Sequence, residues 1–137
     1  RVIKKMKGLP TIFTDPHILR EIYANLIGNA VKYTPRGGCI EISVFARGRK
    51  FFSHVKDTGY GISQKEQWRI FEKFFRADNA IKMQAEGSGL GLYVSKMIIE
   101  AMGGKIWFVS NENKGSVFYV AFPQSGAVPK AGERSLA

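Results

Sequence analysis

A long amphipathic segment near the start of the chain constrains the fold more than any other feature. Residues 15–33 carry apolar side chains at steps of three and four positions, the spacing of a helix that packs against a core. Asp15 suits the N-cap of this helix, and Pro16 suits its first position, where a missing N–H costs nothing. The sequence therefore predicts a helix over 15–33, which ends before the proline and glycines of residues 34–38.

Polar side chains form one stripe along this predicted helix. Glu21, Asn25 and Asn29 are spaced four residues apart, and Lys32 follows three residues later. A solvated outer face is the ordinary explanation of such a stripe. A polar partner shared by these side chains is the alternative, because an amide buried without a partner costs about 1–3 kcal/mol. The helix alone favours the solvated face and leaves the alternative open.

Length and composition limit the class of protein to which the chain can belong. Its 137 residues, 45% of them hydrophobic, suit one globular domain with a core. A single cysteine excludes an internal disulfide and favours a reducing compartment, so we expect a soluble, cytoplasmic protein. No apolar run approaches the roughly 20 residues of a membrane span. The chain begins with Arg1 rather than Met, so we expect a part of a longer protein.

The formal net charge of +10 favours anionic partners such as nucleotides, acidic protein surfaces or nucleic acid. The basic residues are scattered along the chain, however, and basic clusters do not interleave with stacking aromatic residues as single-strand nucleic-acid binders require. Nucleic acid is therefore not the expected partner.

Alternating apolar residues predict strands over residues 39–46 and 50–56, joined as a hairpin, and over 105–110 and 116–122. Residues 2–14 are expected to form a short edge strand or arm. Residues 64–75 are predicted to be helical and residues 76–86 to be a mobile loop. A further helix is expected to open at residues 87–92 and to stop at Gly103 and Gly104. Residues 124–137 lack a pattern and are expected to be a disordered tail.

Two glycine-bearing segments suggest ligand contact. In residues 57–61 an aspartate at a strand end stands beside two glycines, which let the backbone approach a ligand closely. In residues 87–92 glycines begin a helix, where exposed N–H groups and the helix dipole favour an anion. Each segment alone is weak evidence. The second is neither a P-loop nor a dinucleotide fingerprint, because no Lys-Ser/Thr follows it and no strand precedes it.

Taken together and in order, the motifs resemble the catalytic ATP-binding domain of bacterial sensor histidine kinases. That family belongs to a superfamily, called GHKL, that includes DNA gyrase, the large heat-shock chaperone and the MutL repair protein. The resemblance covers roughly residues 15–123. It rests on an Asn box at residues 25–33, a first glycine box at 57–61, a Phe box at 71–76 and a second glycine box at 87–92.

The resemblance implies a fold and a setting. The fold is the Bergerat or GHKL fold, an α/β (α+β) two-layer sandwich whose mixed, mostly antiparallel sheet carries helices on one face. Residues 1–123 would form the catalytic domain, without the helix and strand that usually precede the Asn box. ATP and Mg²⁺ would be its cofactors. Its partners would be the dimerisation and phosphoacceptor domain of the parent kinase and a response-regulator receiver domain, with homodimerisation only through that missing domain.

The resemblance also assigns roles at the phosphate end of the nucleotide. Asn29 would be the Mg²⁺ ligand, with an amide oxygen that suits this hard cation. Asn25 would support the metal and phosphate site, and Lys32 would contact phosphate. Arg76 would stabilise charge on the transferring phosphoryl group, and Lys82 would assist it. The catalytic set is thus Asn25, Asn29, Lys32 and Arg76.

Further positions of the same motifs would bind the rest of the nucleotide. Asp57 would accept a hydrogen bond from the adenine amino group, and Ser116 would place a hydroxyl near the adenine. Tyr33 would line the pocket. The remaining nucleotide-binding positions are Gly59, Gly61, Ile62, Gly87, Ser88, Gly89, Leu90, Gly91 and Leu92, the glycines of the second box presenting backbone N–H groups to phosphate.

One substitution favours phosphoryl transfer over ATP hydrolysis. ATP-hydrolysing relatives carry a glutamate one turn before the metal-binding asparagine, and this chain has Asn25 there, which cannot take a proton from water. His17 and His54 lack the acidic signature of a phosphoacceptor, so the acceptor is expected elsewhere. The alternatives are a serine kinase of the anti-sigma type and a non-catalytic ATP-binding signalling module.

Overall fold

One mixed sheet is the framework of the structure. The computed structural model describes residues 1–6, 8, 12, 14–83 and 86–124. Within them the strands are β1 (Val2–Met6), β2 (Ile40–Arg47), β3 (Lys50–Asp57), β4 (Lys105–Asn111) and β5 (Gly115–Pro123). They form a five-stranded sheet in the order β1-β2-β3-β5-β4, with β1 parallel to β2 and the other neighbours antiparallel. The expected mixed, mostly antiparallel sheet is confirmed.

Two of the helices cover one face of this sheet. The helices are α1 (Pro16–Tyr33), the short α2 (Asp78–Met83) and α3 (Gly91–Ala101). α1 packs against α3 and β3, and α3 packs against β4. Their apolar sides and the inward side chains of the sheet share one core, whose most deeply buried members are Ile22, Leu26, Ile99, Val55, Val120 and Phe122. This arrangement is the two-layer α/β sandwich.

The start of α1 and its attachment to the sheet follow from named contacts. Asp15 caps the helix, since its Oδ1 accepts from the His17 N–H at 2.8 Å. Further along, the hydroxyl of Tyr23 hydrogen-bonds the hydroxyl of the buried Ser53 on β3. Burial raises the pKa of Tyr23 to about 12. The phenol therefore stays neutral at physiological pH and fixes the height of α1 over the sheet.

The opposite face of the sheet carries aromatic pairs instead of a helix within the described residues. Phe45 stacks on Phe52 with ring centroids 5.5 Å apart, and Trp107 stacks on Tyr119 at 5.3 Å. These are cross-strand pairs of the kind that stabilise a sheet. The functional site therefore has to be built on the helical side.

The predicted helix over residues 64–75 is wrong. This segment contains only a 3₁₀ turn, Gln67–Arg69, followed by further turns. Phe74 adopts a left-handed conformation, φ 64°, and its N–H donates to the Gly89 carbonyl at 3.0 Å. A contact with a distant segment therefore replaces the helical hydrogen bond that the local pattern favours.

The mobile loop expected over residues 76–86 is also corrected, because it contains α2. The N–H of Asp78 donates to Oε1 of Glu66 at 2.7 Å, and the other oxygen of that carboxylate accepts from Ser63. An acidic residue in the first helical turn suits the helix dipole. α2 is therefore anchored at its start by a side chain 12 residues earlier in the chain.

The remaining elements lie close to their predicted bounds. α1, both strands of the β2–β3 hairpin, α3, β4 and β5 are confirmed, as is the edge strand within residues 2–14. Gly103, with φ +72°, follows the end of α3 as expected. Residues 7, 9–11, 13, 84, 85 and 125–137 lie outside the described residues, so the arm beyond β1 and the disordered tail stay predictions, as does the boundary of the catalytic domain at residue 123. Among the described helices, none is both long and apolar enough to cross a membrane.

The packing of α1 yields a stability prediction. Ile22 is fully buried, so Ile22→Ala leaves a cavity and should lower the free energy of unfolding by about 2–5 kcal/mol in urea titration. Val31 lies on the same helix and is 58% exposed, so Val31→Ala should change this free energy by less than about 0.5 kcal/mol. Equal losses in the two variants would contradict the described orientation of α1.

Candidate functional site

A pocket opens between α1, the end of β3, the segment around α2 and the start of α3. Residues from all four sequence motifs reach it, although they are far apart in the chain. The described residues that line it are Asn25, Asn29, Ala30, Lys32, Tyr33, Asp57, Tyr60, Gly61, Ile62, Ile70, Phe75, Arg76, Ala77, Asn79, Ala80, Gly87, Ser88, Gly89, Gly91, Leu92, Ser116 and Phe118.

Three members of the polar stripe of α1 line this pocket, and of these Asn25 and Asn29 are half-buried while Lys32 is exposed at its edge. Asn25, Asn29 and Lys32 all line it, whereas Glu21 is exposed and lies outside the lining. Asn25 also ties the two helices together, since its Nδ2 donates to Oγ of the buried Ser95 at 3.2 Å. The shared polar surroundings, and not a solvated outer face, explain three of the four side chains.

Asn29 has the chemistry that a magnesium ligand needs. Its side chain makes no hydrogen bond within the described part of the chain, so its oxygen is available in the pocket. No group of three or more His, Cys, Asp or Glu side chains suited to a metal occurs among the described residues. Mg²⁺ commonly takes one or two protein oxygens and completes its shell with phosphate and water. Asn29 therefore fits a metal that arrives with a nucleotide.

A buried carboxylate belongs to the lining of the pocket. Asp57 is 7% exposed, and its Oδ1 accepts from the N–H of Gly59 at 2.8 Å and of Ser116 at 3.2 Å. Its Oδ2 has no hydrogen bond within the described residues and is left as an acceptor beside the pocket. Burial raises the pKa of Asp57, and the two backbone donors partly oppose that rise. Asp57 is the sole carboxylate among the described lining residues.

The backbone of other segments approaches the first glycine box closely. Gly61 has φ +66°, and a Cβ there would lie 1.9 Å from the carbonyl oxygen of Asn111. A Cβ on Gly59 would lie 2.3 Å from the Tyr33 carbonyl oxygen. Gly61 lines the pocket, whereas Gly59 is buried behind the wall and shapes it from there. Both positions need glycine because another backbone approaches them.

The start of α3 and two basic side chains add cationic groups to the pocket. The second glycine box leads into the N-terminus of α3, where backbone N–H groups and the helix dipole favour an anion. The guanidinium of Arg76 lies against Gly87 and donates from Nη2 to the Ala80 carbonyl at 3.4 Å. Lys32 lines the same pocket from α1. Cations and N–H groups thus share the pocket lining with the Asp57 carboxylate.

Not every expected site residue reaches the pocket. Lys82 is exposed on α2 and does not line it. Leu90 is outside the lining too, and it donates its N–H to the Ser88 hydroxyl at 3.2 Å as the helix begins. Leu92, Ser88 and Ile62 do line the pocket.

The sequence interpretation missed several lining residues, some of them inside the motif boxes and others outside them. Asn79 is the most informative of them, because its Nδ2 donates to the Gly61 carbonyl at 2.7 Å and so joins α2 to the first glycine box. Its polar side chain within the expected loop over residues 76–86 was the only available signal. The other missed residues are Ala30, Tyr60, Ile70, Phe75, Ala77, Ala80 and Phe118.

The raised pKa of Asp57 yields a pH-dependent prediction. A carboxyl whose folded pKa is raised costs stability as pH rises from its ordinary value of 3.8 through the folded value. Asp57→Asn keeps the Oδ1 acceptor, so it should unfold with a free energy about 0.5–2 kcal/mol above wild type at pH 7, as active-site substitutions often do. The difference in the free energy of unfolding between Asp57→Asn and wild type should disappear near pH 3, where the wild-type carboxyl is protonated in both states.

Thermal and urea unfolding across this pH range provide the measurement. Asp78→Asn is the control, because it removes an exposed carboxylate from a helix N-terminus, where the charge is favourable. It should leave stability at pH 7 unchanged or slightly lower. A wild type more stable than Asp57→Asn at pH 7 would contradict the prediction.

Comparisons with known proteins identify the family of this chain. The family described as histidine kinase-, DNA gyrase B-, and HSP90-like ATPase matches residues 14–126. The chain is 41% identical over 110 residues to the circadian input-output histidine kinase CikA of Synechococcus elongatus, and 39% identical over 118 residues to the adaptive-response sensory kinase SasA of Rippkaea orientalis. These matches cover 80% and 85% of this chain but only 15% and 30% of the two relatives.

Solved structures show the same fold. Full-length ShkA in complex with AMPPNP matches with a TM-score of 0.76 and 32% identity, over 94% of this chain and 27% of that one. The catalytic domain of histidine kinase ThkA matches with a TM-score of 0.73 and 28% identity, over 90% and 78% of the two chains. Because the family match spans most of its length, the chain belongs to the histidine kinase-, DNA gyrase B- and HSP90-like ATPase family.

Proposed function

We propose that this chain binds ATP with Mg²⁺ and supplies the γ-phosphoryl group for phosphorylation of a histidine on a separate dimerisation domain of a sensor kinase. The observation that carries the proposal is that the four motifs form one pocket whose lining has two kinds of polar group. We propose that Asp57 and Ser116 form its acceptor end and that Lys32, Arg76 and the start of α3 form its cationic end. A nucleoside triphosphate has a base and a charged phosphate chain that match these two sets of groups.

At the acceptor end, Asp57 would receive the amino group of the base. Its Oδ1 is already engaged by two backbone N–H groups, and these fix the plane of the carboxylate. The free Oδ2 then has one direction in which to accept a hydrogen bond. A buried acceptor in a fixed orientation discriminates strongly against a ligand that lacks the donor.

At the cationic end, Asn29 would hold Mg²⁺ together with phosphate oxygens. The metal would neutralise charge on the phosphates, while Lys32 and Arg76 would contact phosphate oxygens directly. Phosphoryl transfer depends mainly on such positioning and charge stabilisation. Arg76 lies where it touches both α2 and the second glycine box, so closure of the lid and placement of the guanidinium would occur together.

Transfer to a protein side chain is favoured over hydrolysis. No carboxylate other than Asp57 lines the described pocket. Asn25 occupies the place of a general base, but an amide does not accept a proton from water, and its Nδ2 is bound to Ser95. Nothing in the described lining can activate water beside the phosphates.

The acceptor histidine would come from outside this chain. His17 lies in the first turn of α1, and His54 packs against Tyr119 and Glu41 on the opposite face of the sheet. Phe74 is 64% exposed beside Gly89, so an apolar side chain faces solvent where an acceptor domain would approach the phosphates. The names of the relatives as sensor and histidine kinases support such a partner.

Reconstituted transfer tests the proposal. The chain, its parent's dimerisation domain, ATP and Mg²⁺ should yield acid-labile phosphohistidine. Asn29→Ala and Lys32→Ala should each lower the rate by at least about 100-fold, as expected for removal of one charge-stabilising group. Lys56→Ala, an exposed lysine on β3 outside the pocket, is the matched control and should transfer normally.

Other outcomes separate the alternatives. Acid-stable phosphoserine on a partner would point to a serine kinase instead. Tight ATP binding without transfer to the cognate acceptor would leave a nucleotide-binding signalling module. Transfer by Asn29→Ala at the wild-type rate would contradict the proposed metal ligand.

The bond between α2 and the first glycine box gives a prediction about the lid. Asn79→Ala removes the 2.7 Å hydrogen bond to Gly61, so bound nucleotide should dissociate about 3–10-fold faster, the equivalent of one ordinary hydrogen bond. Stopped-flow displacement of a fluorescent ATP analogue measures the rate. Ile81→Ala, on the same helix and 48% exposed, should keep the wild-type rate. Equal acceleration in both variants would indicate loss of α2 rather than loss of the bond.

A further inference from the structure

A glycine and a buried serine, one turn apart on α3, both contact the side-chain amide of Asn25. Nδ2 of Asn25 lies 3.2 Å from Oγ of Ser95 and 3.4 Å from the carbonyl oxygen of Gly91. Residues 91 and 95 are neighbours on one face of the helix, and that face meets α1. Gly91 and Ser95 thus hold a side chain of the other helix, and we call the two residues the amide cradle.

The chemistry of the cradle fixes the direction of both hydrogen bonds. A carbonyl oxygen can only accept, so the end of the amide that lies beside Gly91 has to be its NH2 group. An NH2 group donates two protons and does not accept, so the Ser95 oxygen accepts from it wherever the Ser95 proton points. A reversed amide would place its oxygen against the Gly91 carbonyl oxygen, and the two oxygens would repel each other.

The same amide explains why residue 91 has no side chain. Gly91 is the first residue of α3, and it is not among the glycines with positive φ, so its backbone conformation suits any residue. A Cβ at this position would lie 3.2 Å from Oδ1 and 3.4 Å from Cγ of Asn25. Alanine is a better helix former than glycine. The space that the amide occupies is therefore the reason for glycine here.

The cradle joins the two elements that would contact the phosphates. Asn29 and Lys32 follow Asn25 on α1, and Gly91 belongs to the second glycine box at the start of α3. Asn25 and Gly91 line the pocket, whereas Ser95 is fully buried and lies outside the lining. Groups that bind one ligand have to be held within about 0.5 Å of their productive positions. A shift of α3 against α1 would therefore misplace its N–H groups relative to Asn29.

We propose that Gly91 and Ser95 are positioning residues that act through Asn25 to hold the start of α3 at the distance from α1 that a triphosphate chain needs. This inference deepens the proposed ATP-binding function and rests on it. It also gives the amide of Asn25 a task of its own, because a carboxylate at this position would have no proton for either acceptor of the cradle.

The first test is a double-mutant cycle on the dissociation constant of Mg·ATP, measured by isothermal titration calorimetry. Ser95→Ala removes an acceptor and should raise this constant about 3–10-fold, the equivalent of one hydrogen bond. In an Asn25→Ala background the same substitution should change it less than about twofold, because no NH2 group remains to be held. Met97→Ala, on the same helix and 52% exposed, is the control and should leave the constant unchanged. Equal weakening by Ser95→Ala in both backgrounds would overturn the inference.

Gly91→Ala gives a second test that does not need Ser95→Ala to fold. In the wild-type background the new methyl group meets the Asn25 amide, so the melting temperature should fall. In the Asn25→Ala background the amide is gone and alanine is the better helix former, so the melting temperature should rise. A shift of the same sign in both backgrounds would overturn the role of Gly91.

The side-chain amide provides a spectroscopic signature that general packing would not produce. In the nucleotide-free chain, the NH2 protons of Asn25 should exchange with solvent faster in Ser95→Ala than in wild type, as followed by nuclear magnetic resonance. The NH2 protons of Asn79, which are held by the Gly61 carbonyl, should exchange at the wild-type rate. Unchanged exchange at Asn25 would overturn the role of Ser95.

Failure of the proposed function gives a different result. A folded wild-type chain that does not bind Mg·ATP would overturn ATP binding and the positioning role with it, whatever the exchange rates show. A wild-type chain that binds Mg·ATP, with no coupling between residues 25 and 95, would overturn the positioning role alone.

Discussion

The site depends on the burial of one carboxylate at a junction of three segments. Asp57 ends β3, and its Oδ1 is held by N–H groups of the first glycine box and of β5. This junction leaves no room for side chains on the neighbouring backbone, since a Cβ on Gly115 would lie 2.0 Å from the Asp57 carbonyl oxygen. A buried charge is unfavourable without partners, and the two N–H groups offset that cost while leaving one oxygen for a ligand. Burial of the Asp57 charge lowers the free energy of unfolding, and such a loss of stability is common at functional sites.

Other parts of the pocket lining carry positive charge or partial positive charge, in contrast to the Asp57 carboxylate. α1 contributes an amide and an ammonium group, and α3 contributes the positive end of its dipole. Asn25 fixes the distance between these helices through Ser95, which is fully buried. The short helix α2 then connects the two glycine boxes, because Asn79 donates to the first box, and Arg76, which donates to the Ala80 carbonyl of α2, lies against the second. The position of α2 and the arrangement of the pocket lining therefore depend on the same contacts.

The sequence predicted well wherever a residue's environment was local. The alternation of β2, β3, β4 and β5, the periodicity of α1 and the glycines that end α3 all depend on neighbours in the chain, and these elements are confirmed. The polar stripe needed more than local information. The helix alone did not favour a ligand over solvent as the partner of this stripe; the order of the four boxes did. The structure brings three residues of the stripe, Asn25, Asn29 and Lys32, to the pocket.

Prediction failed where distant contacts override local preference. The apolar spacing of residues 64–75 favours a helix, but the hydrogen bond from Phe74 to Gly89 requires a left-handed turn there. α2 begins where it does because Glu66 receives the Asp78 N–H. Lys82 looked suitable by charge, yet α2 leaves it exposed and away from the pocket.

The sequence by itself determined the family, the succession of most strands and helices and the chemical types that a triphosphate site needs, since these follow from periodicity, glycine positions and motif order. The tertiary structure alone decided which of those groups share one pocket, and that the segment expected to be a loop over residues 76–86 contains a helix. The physical reason is that hydrogen-bond direction and burial depend on residues brought together across the sheet, and spacing along the chain does not encode those encounters.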